Sequence, residues 1–218
     1  AILSAPHLGY VMEILDDMVP LKNLMFHGHD ALIPKDEATF QKYIESGGLK
    51  RRYKILSRIA ETLCELHSKG LVFGDPSPDN FFISTEIEDD EISLIDADNL
   101  EYQSRINGSC IYTPPYGAPE LVKRTHGVNT LTDAHAFAVI AFWLLTGVHP
   151  RYGDLVTEGT PEMEDKAQRG ELPWIDDTND DSNYTALGMP RELVLTPKIT
   201  SLFNLTFGVG THDYLQRP

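Results

Sequence analysis

Ten consecutive residues, Ala136 to Leu145 (AFAVIAFWLL), carry no polar side chain. A helix that is apolar on every side has no face to give to water, so it belongs inside a core walled by other helices. A bilayer span needs about twenty such residues, so this run is too short to cross a membrane. Thr132-Asp133 ahead of it offers a first-turn or capping acid, and Gly147 before His149-Pro150 offers a stop. A chain of 218 residues, 41% of them hydrophobic, can bury such a helix, which excludes wholesale disorder.

The rest of the pattern is helix-rich with a few short strands. From Arg51 to Ser68, Ile55, Leu56, Ile59, Ala60, Leu63 and Leu66 recur at three- and four-residue steps, and Gly70 closes the helix. Leu8 to Leu15 and Ile92 to Ile95 read as short strands. The second continues Phe81-Phe82-Ile83 across an acidic turn, Glu86 to Glu91, expected to be a solvated tip. Asp154 to Asn183 is loop-like, with one short helix near Glu162 to Gln168, and Pro197 to Leu205 is amphipathic and helical. The chain reads as one domain or a large part of one.

With 18 Lys and Arg against 33 Asp and Glu the formal charge is −15, which argues against nucleic acid or an anionic membrane as partner. Two cysteines make no disulfide framework, and no basic stretch followed by an apolar core opens the chain, so a cytoplasmic location is expected. His27-Gly28-His29-Asp30 reads as a surface loop, since no further metal ligands cluster with it.

Chemistry is concentrated between the Arg51–Ser68 helix and the Ile92–Ile95 strand. In Gly74-Asp75-Pro76-Ser77-Pro78-Asp79-Asn80, two prolines and a glycine forbid regular structure and hold a carboxylate and a carboxamide five positions apart. Asp96 then follows directly on an apolar strand. Two acids and an asparagine at the ends of apolar elements suit Mg²⁺, through hard oxygen ligands, with one acid left as a base.

Asp75-x4-Asn80 followed by a strand ending in Asp96 resembles the H-R-D-x-x-x-x-N loop and D-F-G motif of protein kinases. Ala118-Pro119-Glu120, preceded by Thr113-Pro114-Pro115-Tyr116-Gly117, is similar to the A-P-E end of a Ser/Thr kinase activation segment. Asp133 to Ala138 resembles the start of the buried central helix of the kinase C-lobe, and Arg217 stands where kinases place the partner of the A-P-E glutamate. The resemblance implies a mainly α fold, a protein kinase C-lobe around a buried central helix with a few short β-strands. Residues 1–15 would be the last N-lobe strand and hinge. Residues 16–218 would be the C-lobe, with a catalytic loop over 73–80, a metal motif over 96–98 and an activation segment over 96–120.

The resemblance also implies roles. Asp75 accepts or orients the proton of the substrate hydroxyl, Asn80 and Asp96 bind Mg²⁺, and Thr113 bonds near Asp75 and favours Ser/Thr acceptors. Met12 is the gatekeeper, the Glu13 carbonyl and Leu15 amide face the adenine of ATP, and Phe82 and Ile95 form its apolar floor. Asp133 accepts backbone N–H bonds from the catalytic loop, and Glu120 pairs with Arg217. The implied activity is ATP- and Mg²⁺-dependent transfer to Ser or Thr of a protein substrate.

Departures accompany the resemblance. No G-x-G-x-x-G, no V-A-I-K-like lysine and no helix with a pairing glutamate precedes Leu8, so the N-lobe is expected from an upstream segment and the chain alone is expected to be inactive. Phe73-Gly74 replaces His-Arg, Ser77 replaces the lysine two residues after the catalytic acid, and Asp96-Ala97-Asp98 replaces D-F-G. These changes suggest a divergent, microbial branch. Two alternatives stay open: a pseudokinase that serves as a scaffold, and a small-molecule kinase of the aminoglycoside or choline type, whose G-D-x-x-x-x-N loop is also met by Gly74 to Asn80.

Overall fold

The computed structural model describes residues 14–26, 37–103 and 109–208, together with the backbone of Ile2–Leu3 and Gly9–Tyr10. In chain order the strands and helices begin with β1 (Ile2–Leu3), β2 (Gly9–Tyr10), β3 (Met18–Pro20), α1 (Glu37–Glu45), α2 (Gly48–Ser68) and β4 (Leu71–Val72). There follow β5 (Phe81–Ser84), β6 (Ile92–Leu94), β7 (Glu101–Tyr102), α3 (Pro119–Val122) and α4 (Thr130–Thr146). The chain then runs through α5 (Asp154–Thr157), α6 (Pro161–Gln168), α7 (Arg191–Val194) and α8 (Pro197–Phe207). The molecule is mainly helical with short strands, as the sequence pattern indicates.

The apolar run lies in α4. Val139, Ile140, Phe142, Leu144 and Leu145 are buried, packed with Ile55, Ile59 and Leu63 of α2 and with Phe203 and Phe207 of α8. Phe142 meets Trp174, Phe203 and Phe207 edge-on, with ring centroids 5.6, 5.1 and 6.4 Å away. Asn129 starts α4, its side chain accepting from the N–H groups of Leu131 and Thr132 while the Thr132 hydroxyl accepts from the Asn129 N–H. Gly147 ends it at φ 78°, a left-handed conformation that glycine adopts without steric cost. Asp133 is therefore inside the first turn rather than at the cap.

Arg52 of α2 is a charged side chain with 0% exposure. Its guanidinium donates to the carbonyls of Leu24, Tyr43, Gly48 and Leu144 and to the Ser46 hydroxyl, at 3.0–3.4 Å, and lies 3.8 Å from the Tyr43 ring centroid. Burial brings its pKa down to about 10. Tyr43 and Leu144 sit near the C-termini of α1 and α4, where unpaired carbonyls carry partial negative charge, so one cation ties three helices together.

Strand order in the central sheet is β3-β5-β6, all antiparallel, with Phe82 opposite Pro20 and Ser93, and Phe81 opposite Leu94. Phe81 and Ile83 point into the core, so by strand alternation Phe82 faces the other side and is half-buried. Of the strand expected over Leu8 to Leu15, Gly9–Tyr10 is strand, Ile14 and Leu15 lie outside any strand, and residues 8 and 11–13 fall outside the described residues. The chain turns instead through Asp17, at φ 54°, into β3.

The acidic turn between β5 and β6 is more than a solvated tip. Lys50, Lys54 and Arg58 form an i, i+4 stripe on α2 that faces it. Lys50 pairs with Glu88 at 3.0 Å, Arg58 with Asp90 at 3.2 Å, and Lys54 donates to the Glu88 carbonyl at 3.4 Å. The Lys50 hydrogen bond holds the Glu88 carboxyl below its ordinary pKa. All of these groups face water, so each pair contributes little to stability.

Candidate active site

The loop after β4 is held from beneath by the central helix. Asp133, with 0% exposure, accepts the Phe73 N–H at 2.8 Å and the Gly74 N–H at 3.0 Å. His67, at the end of α2, bonds the same carboxylate at 2.9 Å. Phe73 is buried against Phe81, ring centroids 6.1 Å apart, which fixes the loop's root. Gly74 sits at φ 91°, and a Cβ there would come within 2.9 Å of the Asn99 carbonyl oxygen. No arginine can occupy this position with the present backbone, which is the physical counterpart of Gly74 standing where H-R-D has its arginine.

Asp75 then projects toward the segment that precedes α3. Its Oδ1 accepts the Thr113 N–H at 2.6 Å and its Oδ2 accepts the Thr113 hydroxyl at 2.7 Å. Behind it the Asn80 Nδ2 donates to the Asp75 carbonyl at 2.9 Å, and the Asn80 N–H closes a turn onto the Ser77 carbonyl at 3.0 Å. Asp75, Ser77 and Asn80 are buried, while Asp79 turns outward to pair with Lys22.

The sheet register brings the second acid alongside. The Ile95 N–H donates to the Asn80 carbonyl at 3.0 Å, extending the β5–β6 ladder by one pair and delivering Asp96 next to the loop. Asp96 is exposed and left-handed, φ 58° and ψ 47°, a conformation aspartate tolerates better than most residues. By the same alternation, Asn80, Phe82 and Ile95 share one face of the sheet, the face turned away from the core. Phe82, Ile95 and Leu15 are each half-buried.

With its amide nitrogen spent on Asp75, Asn80 keeps an oxygen for a cation, and Asp96 offers a carboxylate. Among the described residues no group of three or more His, Cys, Asp and Glu gathers as a metal site. Two protein oxygens suit Mg²⁺, which keeps waters and phosphate oxygens in most of its positions. They do not suit zinc, which takes three or four nitrogen, sulfur or carboxylate ligands from the protein.

Glu120 is buried in the first turn of α3. Met12, Glu13 and Arg217 lie outside the described residues. Two contributors carry no sequence signal. His67 meets Asp133 across 66 positions. Tyr112 packs with Val72, Ala118, Leu121 and Val128 beside Asp75, its ring seated on Gly117, where a Cβ would lie 2.4 Å from the Tyr112 Cδ2.

The protein kinase domain model matches residues 30–190, a span that includes Asp75, Asn80, Asp96, Thr113, Glu120 and Asp133. Human calcium/calmodulin-dependent protein kinase type 1B is 28% identical over 158 residues, 71% of this chain and 45% of that protein. The CDPK-related kinase 4 of Arabidopsis thaliana is 30% identical over 131 residues, 56% of this chain and 20% of that protein. The serine/threonine-protein kinase pkn2 of Myxococcus xanthus is 31% identical over 113 residues, 48% of this chain and 13% of that protein. The chain spans less than half the length of each of these relatives. No helix among the described residues is long and apolar enough to cross a membrane.

Proposed function

This chain belongs to the protein kinase family, and from that premise we propose that it is the C-lobe of an enzyme that transfers the terminal phosphoryl group of ATP to Ser or Thr of a protein substrate. The observation that carries the reading is the clamp on Asp75. Thr113 holds both carboxylate oxygens, through its N–H and its hydroxyl, and thereby fixes the direction in which the acid faces an incoming hydroxyl. These bonds use two of a carboxylate's roughly four acceptor positions, so a substrate O–H still finds one. Asp75 receives that proton as the hydroxyl oxygen attacks, and catalysis comes from positioning and charge neutralisation.

Asn80 and Asp96 would hold Mg²⁺, which when bound neutralises phosphate oxygens. Phe82 and Ile95, sharing a face with Asn80, would lie under adenine, with Met12, Glu13 and Leu15 along its edge. Ser77 is buried and neutral where the family carries a lysine, so the site has one positive charge fewer. The glycine-rich loop and phosphate-holding lysine of the family have no counterpart in these 218 residues. In this reading an upstream N-lobe brings them, and the enzyme works in the cytoplasm.

The test uses the full-length protein with Mg²⁺-ATP and Ser- or Thr-containing peptides. Asp75→Asn is expected to lower the rate by about 10²–10⁴-fold, the usual worth of a positioned acid or base. Undiminished transfer by that variant would refute the reading. An absent Mg²⁺-ATP thermal shift in the unaltered protein would favour a scaffold, and transfer to choline or aminoglycosides but to no peptide would favour a small-molecule kinase.

A further inference from the structure

A second concavity, of about 550 Å³, opens beside the clamp. Tyr112, Lys123, Arg124, Asp165, Arg169 and Glu171 are among its walls. Tyr112 is also a wall of the crevice that contains Asp75, so one ring separates the acceptor position from this groove.

Its lining carries three cations against two acids, in a chain whose formal charge is −15. Several exposed cations elsewhere sit on acids: Lys50 on Glu88, Arg58 on Asp90, Lys69 on Glu65, and Lys166 on Glu162. In the groove Arg169 likewise pairs with Asp165, at 3.0 Å. Lys123 and Arg124 make no ion pair with any described residue, although the chain carries 33 acids to 18 bases. Their backbone is held in place at the end of α3, the Lys123 N–H on the Pro119 carbonyl and the Arg124 N–H on the Leu121 carbonyl, both at 2.9 Å. With Arg169 paired to Asp165, the lining leaves Glu171 as the one other acid beside Lys123 and Arg124, so the open charge of the groove is positive.

We propose that this groove selects protein substrates with aspartate or glutamate flanking the acceptor hydroxyl. Lys123 and Arg124 are the selecting cations, and Tyr112 sets their distance from Asp75. The proposal rests on the phosphoryl-transfer reading for the place of the acceptor, while the charge preference stands on the groove itself. Adjacent cations of like charge repel, and a carboxylate placed between them relieves that repulsion as it binds.

The test reads binding separately from transfer. Fluorescence anisotropy on the full-length protein compares three labelled peptides, each with Ala at the acceptor position and flanked on both sides by Asp and Glu, by Asn and Gln, or by Lys. The acidic peptide is expected to bind about tenfold more tightly than the amide peptide, the worth of one or two partly exposed charge pairs. In Lys123→Glu/Arg124→Glu the ranking should invert, with the lysine peptide tightest; that gain also shows that the variant is folded. Equal affinities for the three peptides, or an unchanged ranking in the variant, would overturn the proposal. Acidic preference in binding without transfer to a serine version supports the groove and defeats the enzymatic reading. Transfer without charge preference does the opposite.

Discussion

The two acids of the site are held in opposite ways. Asp75 belongs to a loop in which almost every polar group has a protein partner: Thr113 on its carboxylate, Asn80 on its carbonyl, and Asp133 under the two preceding N–H groups. Asp96 stands in a turn that is exposed and left-handed, its neighbours tied only through backbone bonds such as Ile95 N–H to Asn80 and Leu100 N–H to Ala97. The first acid is oriented by folding and the second is left exposed. The proposed phosphoryl transfer would use this division, because a preorganised base lowers the barrier while a cation site must keep positions free for phosphate and water.

The same substitution at two depths should break the symmetry most strongly. Asp133→Asn replaces one acceptor oxygen with a donor amide that has only N–H groups and His67 to face. A buried donor left without a partner costs about 1–3 kcal/mol, so unfolding free energy in urea should fall by about 3 kcal/mol when two contacts are disturbed. A loss under about 1 kcal/mol would mean that the loop is not held from beneath as described.

A second prediction concerns pH, at a histidine buried beside the central helix. His149 is buried beside Trp143, ring centroids 5.2 Å apart, and accepts the Arg151 N–H at 3.1 Å. Burial, with the Arg151 charge second, pushes its pKa down from the ordinary 6.5 to about 3. The folded state therefore keeps the ring neutral while the unfolded state protonates it near pH 6.5. Its contribution is full above pH 6.5 and is lost progressively as pH falls toward 3. Between pH 7 and pH 5 this one group should remove about 2 kcal/mol of stability. His149→Asn keeps a short acceptor and has no proton to gain, so the difference in pH slope between the two proteins measures the effect. Parallel slopes would contradict it.

What could be read from the sequence followed from how local each cause is. The run from Ala136 to Leu145 contains its own reason for burial, and the two prolines around Asp75 contain theirs for an irregular loop. Helix α1 was not legible, because its apolar face is a single i, i+3, i+4 group, Phe40, Tyr43 and Ile44, with no second turn to repeat it. Arg52 was not legible either, since a cation inside an α-helix reads as surface until four carbonyls from four parts of the chain converge on it. The acidic turn looked solvated for the same reason: its basic partners lie more than thirty residues away, on one stripe of α2. Asp75, Asn80 and Asp96 were visible as residue types, and the meeting of Thr113 with Asp75 followed from the kinase resemblance, whereas the His67 support had no signal because it depends on distant segments meeting.

The smallest effect is the sharpest for the comparison. Asp96→Asn keeps a residue that tolerates the left-handed turn and removes a charge that no described side chain meets by hydrogen bond or ion pair. Stability without ligand should therefore change by less than about 0.5 kcal/mol, as for surface substitutions that touch nothing. Yet the full-length protein carrying it should lose its Mg²⁺-ATP-dependent thermal shift, because ligands that bind only the native state stabilise it in proportion to their occupancy. Asp133→Asn should do the reverse, lowering the unliganded melting temperature while leaving the cation's own ligands in place. If instead Asp96→Asn destabilised the free protein by as much as Asp133→Asn, the turn would be a structural element like the loop, and the division between an oriented acid and an open one would fail.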